Sequence, residues 1–127
     1  MTKVLLVDDE NLILYSLSKT LKHSGADVTA VENGADALRE TMQCSYDICF
    51  LDVHLPDANG LDLMKTISEV SPHTAIIIMT ATDLSEKQLQ SLHNKGCYFL
   101  PKPFDLDYVL ALVAEISGRQ NAAAGGA

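Results

Sequence analysis

Residues 49–56 read Cys49-Phe50-Leu51-Asp52-Val53-His54-Leu55-Pro56. The apolar run from Ile48 to Leu51 has the length and character of a buried strand, and it ends on an acid. A turn rich in Pro, Asp, Asn and Gly (Pro56, Asp57, Asn59, Gly60) follows at once. The carboxylate of Asp52 therefore stands at the C-terminal end of a strand. In an open α/β sheet, ligands bind outside those ends. An acid placed there reaches solvent and a cation while the strand below stays dry.

Working outward, the same pattern repeats. Val4-Leu5-Leu6-Val7 is a second continuous apolar run, and it ends in Asp8-Asp9-Glu10. Asp27 to Val31 is a short strand, Tyr46 to Asp52 the strand around the first acid, and Ala75-Ile76-Ile77-Ile78-Met79 the most apolar run, closed by Thr80. Cys97 to Leu100 is the fifth strand, with Lys102 just beyond it. Helical spacing fills the gaps. Ile13, Leu14, Leu17 and Leu21 lead to Gly25 as a C-terminal cap. Leu38 and Met42 follow Gly34, and Leu63, Ile67 and Val70 run up to Pro72. Ser85 and Gln88 form a capping box for a fourth helix, with Leu84 and Leu89 as its staple. That helix offers a core only Leu89 and Leu92, so it is weakly anchored. Leu106, Val109, Leu110, Val113 and Ile116 give the fifth helix a broad stripe, capped by Asp105.

Five strands alternating with five helices imply an α/β fold: a flavodoxin-like (βα)5 doubly wound sandwich, its five-stranded parallel sheet covered by helices on both faces. All strand ends then share one edge. Asp8, Asp9, Asp52, Thr80 and Lys102 meet there. After Gly118 the periodicity is lost, so the domain is assigned to residues 1–118, and 119–127 are read as a disordered tail or the start of a linker.

The chain has 127 residues, 47% of them apolar, which suits one packed domain. Its formal charge of −8, with no basic block, argues against direct contact with nucleic acid or an anionic membrane. The cysteines Cys44, Cys49 and Cys97 are odd in number and form no CxxC pair, which fits buried free thiols in a reducing cytoplasm. No stretch is apolar for long enough to suggest a membrane span, and no cleavable leader is evident.

Converging carboxylates repel one another and call for a cation. Oxygen ligands without a His/Cys cluster suit a hard ion such as Mg²⁺. A carboxylate can also attack phosphorus to form an acyl phosphate. Phosphoryl transfer itself asks mainly for positioning and charge neutralisation, which an ammonium and a hydroxyl supply.

Asp8-Asp9, Asp52 with Pro56 and Gly60, Thr80-Ala81 and Lys102-Pro103-Phe104, in that order and each at a strand end, resemble the receiver domain of two-component response regulators over residues 2–118. Thr80 and Lys102 lie 22 positions apart, a separation common in that family. The resemblance implies that Asp52 is the phosphoacceptor for a sensor histidine kinase or phosphotransfer protein. It implies Asp9, Asp52 and the backbone carbonyl of His54 as direct Mg²⁺ ligands, with Asp8 acting through water. Lys102 would contact a phosphoryl oxygen. Thr80 would be the switch hydroxyl and Phe99 its coupled aromatic, although Phe lacks the hydroxyl of Tyr. His54 and Thr82 would tune dephosphorylation, and a cis Lys102–Pro103 bond would aim the lysine inward. A dimer through helix four, strand five and helix five is a further expectation. The Leu-Pro-Lys-Pro-Phe run resembles receivers attached to enhancer-binding activators.

Two rivals use the same fold. An Asp-based phosphatase commonly has a second Asp two residues after its nucleophile, where this chain has His54. A flavin or nucleotide binder would want a Gly- or Ser/Thr-rich phosphate loop after strand one, where Asp8-Asp9-Glu10 would repel a phosphate.

Overall fold

A computed structural model describes residues 1–125. Its elements in chain order are β1 (Lys3–Val7), α1 (Asn11–His23), β2 (Asp27–Val31), α2 (Gly34–Gln43), β3 (Ile48–Asp52), α3 (Gly60–Val70), β4 (Ala75–Thr80), α4 (Glu86–Asn94), β5 (Tyr98–Pro101) and α5 (Leu106–Gly125). The strands form one parallel sheet in the order β2-β1-β3-β4-β5. The chain order reverses between β1 and β3, and that switch point opens a crevice at the strand ends.

Alternation along each strand sorts the core into two layers. Val4 and Leu6, Ile48 and Phe50, Ile77 and Met79, and Leu100 face α1 and α5. Leu5 and Val7, Cys49 and Leu51, and Ile76 and Ile78 face α2, α3 and α4. Because both faces are covered, the central strands read as unbroken apolar runs.

The helices end where local chemistry stops them. Gly25 follows α1 at φ 99°, a conformation that favours glycine. Asn33 caps α2 by accepting from Asp36 N–H at 2.8 Å, and Asn59 caps α3 through Leu61 N–H. At α4 both halves of the Ser85/Gln88 capping box are present. Leu92 alone of that helix is buried; Leu89 is exposed.

Some boundaries differ from the sequence reading. β3 starts at Ile48. Tyr46 is buried ahead of it, its hydroxyl donating to Glu40 at 2.5 Å. Val70 and Met42 are exposed, and Met64 takes the place Val70 was expected to fill on α3. Cys49 is buried, whereas Cys44 and Cys97 are half-buried; all three are free thiols. α5 continues to Gly125 through the stretch expected to be disordered. The apolar stripe ends near Gly118, but the following residues include Ala122-Ala123-Ala124, and alanine is the strongest helix former. Gln120 also donates to the Asp47 carbonyl at 2.8 Å, tying this turn to the sheet. Positions 126–127 lie outside the described residues. Among the described residues no helix is long and apolar enough to cross a membrane.

Candidate functional site

Register brings the acids together before any side chain is considered. Val7 of β1 pairs with Leu51 of β3, so one step further Asp8 lies beside Asp52 on the α1/α5 face of the sheet. Leu100 faces the same way, and Lys102, two residues on, returns to that face. The Lys102 backbone N–H donates to the Thr80 carbonyl at 2.9 Å, which fixes the lysine at the sheet edge. The Lys102–Pro103 bond is cis.

Asp8 and Asp52 are both buried. The Lys102 ammonium lies 2.8 Å from Asp8 Oδ2, 2.9 Å from Glu10 Oε1 and 3.4 Å from Asp52 Oδ1. Burial and the neighbouring Asp8 charge raise the Asp52 pKa, and Lys102 only partly offsets them. Burial disfavours the charge on Lys102, yet Asp8, Glu10 and Asp52 outweigh it and hold the ammonium at about 12. The site is an excess of negative charge around one cation.

Oxygens of Asp8, Glu10 and Asp52 lie within 4.8 Å of one another. Asp8 Oδ2 is buried, and its close partner is the Lys102 ammonium at 2.8 Å. Two buried carboxylates, Asp8 and Asp52, facing a single ammonium leave negative charge that suits a hard, oxygen-binding divalent cation. Asp9, expected as a direct ligand, is exposed and stands outside this trio. Glu10 was not anticipated. Its approach to Lys102 is made by the fold, across 92 residues of chain.

Thr80 is buried at the end of β4. Its hydroxyl accepts from the Thr82 N–H at 3.0 Å, which leaves the hydroxyl hydrogen as a donor. Phe99 pairs in register with Ile78, so Phe99 and Thr80 share the α4 face on adjoining strands. Phe99 is half-buried against that layer. His54 and Thr82, from different loops, meet side chain to side chain at 3.1 Å.

The loop after Asp52 is held tightly. Gly60 N–H donates to Val53 O at 2.7 Å, and a Cβ at Gly60 would lie 2.1 Å from the Asp52 carbonyl oxygen. Asp57, read from sequence as a turn former, reaches further: its two oxygens accept from Gly34 N–H at 2.7 Å and Ala35 N–H at 3.0 Å. It thereby anchors the β3–α3 loop on the N-terminus of α2.

A family model described as the response regulator receiver domain matches residues 4–114. The chain belongs to the response regulator receiver family. It is 34% identical over 110 residues to the DNA-binding transcriptional regulator NtrC of Escherichia coli (strain K12), covering 87% of this chain and 24% of that protein. It is 32% identical over 120 residues to the response regulator ArlR of Staphylococcus saprophyticus, covering 94% and 54%. The receiver thus spans about a quarter to a half of these curated relatives. Among solved structures, the signal receiver domain of a putative Luxo repressor protein from Vibrio parahaemolyticus superposes with a TM-score of 0.87 at 30% identity, over 94% of this chain and 92% of that one. Family and fold agree, and the chain is a signalling receiver domain of the two-component type, with no need of the phosphatase or flavin-binder readings.

Proposed function

We propose that Asp52 accepts a phosphoryl group from the phosphohistidine of a sensor kinase or phosphotransfer protein, in the cytoplasm and with Mg²⁺. The observation that carries this reading is the meeting of buried Asp52, buried Asp8 and the Lys102 ammonium at the strand ends. An Asp52 oxygen attacks phosphorus; the P–N bond breaks, and its electron pair returns to the imidazole. Lys102 stands 3.4 Å from Asp52, close enough to meet a phosphoryl oxygen there. The free hydrogen of the Thr80 hydroxyl donates to another. Small phosphodonors such as acetyl phosphate react by the same attack with acetate leaving, and slow hydrolysis of the aspartyl phosphate releases inorganic phosphate and restores the carboxylate.

Asp52, Asp9 and the His54 carbonyl would hold Mg²⁺, with Asp8 beside them, and the bound ion would supply charge neutralisation for the transferring oxygens. Asp9 suits that role because it has no hydrogen-bond or ion-pair partner among the described residues, whereas Asp8 and Glu10 both contact Lys102. Phosphorylation draws Thr80 and Phe99 inward and shifts α4, β5 and α5, the face through which the domain would pair with a second copy or signal to an output segment of transcription-regulator type. The weak anchoring of α4 by Leu92 alone supports that choice.

Mass spectrometry after incubation with acetyl phosphate and Mg²⁺ tests the assignment. One phosphoryl group on the wild type and none on Asp52→Asn is the expected result; equal labelling of both refutes it. Amide exchange with beryllofluoride and Mg²⁺ tests the switch, with altered protection expected across residues 82–108.

A further inference from the structure

Three carboxylates surround the Lys102 ammonium, but they do not hold it in the same way. Glu10 accepts a hydrogen bond from it at 2.9 Å and is the exposed member of the three. Asp8, at 2.8 Å, and Asp52, at 3.4 Å and the farthest of the three, are buried. Glu10 comes from the other side of the site, 92 residues away in sequence, at the N-cap of α1. An N-cap side chain ordinarily accepts from the first turn of its own helix. Glu10 makes no such bond, and its side chain is free to reach Lys102. Its own N–H is taken by Asp8 Oδ1 at 2.9 Å, which sets the direction from which the side chain approaches.

We infer that Glu10 is a positioning residue that holds Lys102 back from the phosphoryl position on Asp52 and must release it when the group arrives. This inference rests on the proposed phosphorylation of Asp52. The Lys102 backbone is pinned to Thr80, so only its side chain can swing between the two stations. The Glu10 side chain is 58% exposed, so the restraint is screened and modest, small enough to break in each signalling cycle. Glu10 thus sets how readily the site takes a phosphoryl group without touching that group.

Beryllofluoride binding with Mg²⁺, followed by fluorine NMR, tests this with Glu10→Ala and Glu10→Asp. Losing a screened charge-assisted contact should tighten binding to Glu10→Ala about threefold. Glu10→Asp keeps the charge but is one methylene short of Lys102, so it should tighten binding equally. Affinity for Mg²⁺ alone should be retained in both variants. Unchanged beryllofluoride affinity in Glu10→Ala overturns the inference. So does a Glu10→Asp that behaves as wild type, because the effect is then general charge. A marked loss of Mg²⁺ affinity in Glu10→Ala also overturns it, by making Glu10 a metal ligand. If the wild type fails to bind beryllofluoride at all, the proposed phosphorylation falls and this inference with it, an outcome distinct from equal binding by all three proteins.

Discussion

His54 Nε2 and Thr82 Oγ1 lie 3.1 Å apart and join the loop after β3 to the loop after β4. The strands before those loops end in Asp52 and Thr80, so this exposed bond spans the approach to both. If Asp52 carries the proposed acyl phosphate, breaking this bond would loosen both loops and admit water to it more easily. His54→Ala and Thr82→Ala should each shorten the phosphorylated lifetime a few-fold, and the double variant should add little beyond either single one. Timed loss of the phosphorylated mass measures this. Fully additive effects would show that the two side chains act separately.

Asp52 should cost the fold stability at neutral pH. Its pKa is raised in the folded state, mainly by burial and then by Asp8. A carboxyl raised in this way binds more protons folded than unfolded, so its contribution worsens as pH climbs through the carboxylate range and eases as pH falls. Asp52→Asn should therefore be more stable than wild type by ~1 kcal/mol at pH 7, with the gap closing on acidification. Thermal melts at several pH values in the absence of Mg²⁺ measure it.

Lys102 works in the opposite sense. Held at about 12, its stabilisation is fully present below the ordinary lysine pKa of 10.5 and disappears only as pH rises through the folded value. Lys102→Ala removes the one cation that, among the described residues, faces two buried acids. It should cost ~3 kcal/mol in denaturant titrations at pH 7. Combining it with Asp52→Asn should recover part of that loss, because one of the stranded charges goes with it.

Mg²⁺ should raise the melting temperature of wild type and of Glu10→Ala, and do much less for Asp9→Ala and Asp52→Asn. Equal stabilisation of Asp9→Ala and wild type would remove Asp9 from the ligand set. Calorimetric scans with and without the cation read this directly.

Gly60→Ala is the steric test of the loop. The new methyl would sit 2.1 Å from the Asp52 carbonyl oxygen, a backbone atom with little room to move. A loss of ~3 kcal/mol is expected in chemical denaturation. Asp57 makes a milder case. The Gly34 and Ala35 amides lower its pKa, so its contribution to α2 is present above the usual Asp range and fades as pH falls through the lower folded value. Asp57→Ala should melt below wild type at pH 6 and approach it in acid.

Much of this was legible in the chain itself. The apolar runs of β1, β3 and β4 announce a sheet covered on both faces, and the strand-end acids, Thr80 and Lys102 follow from that alone. The capping box at Ser85 is a local signal and needs no tertiary context. What escaped depends on distance. Glu10 finds Lys102 across 92 residues, and Asp57 finds Gly34 across 23. Neither spacing leaves a mark in sequence, because the folded sheet creates it. Gly118 misled for another reason: loss of an apolar stripe ends burial, while helix continuation depends on backbone propensity.

Leu92 is the single deep peg of α4; Ser91 is half-buried, and the other seven positions of that helix are exposed. Surface substitutions of that kind usually change stability by no more than about half a kcal/mol. The outward contour of α4 can therefore be rewritten almost at will while the chemistry beneath stays put, so descendants of one scaffold can acquire different listeners without relearning how to fold.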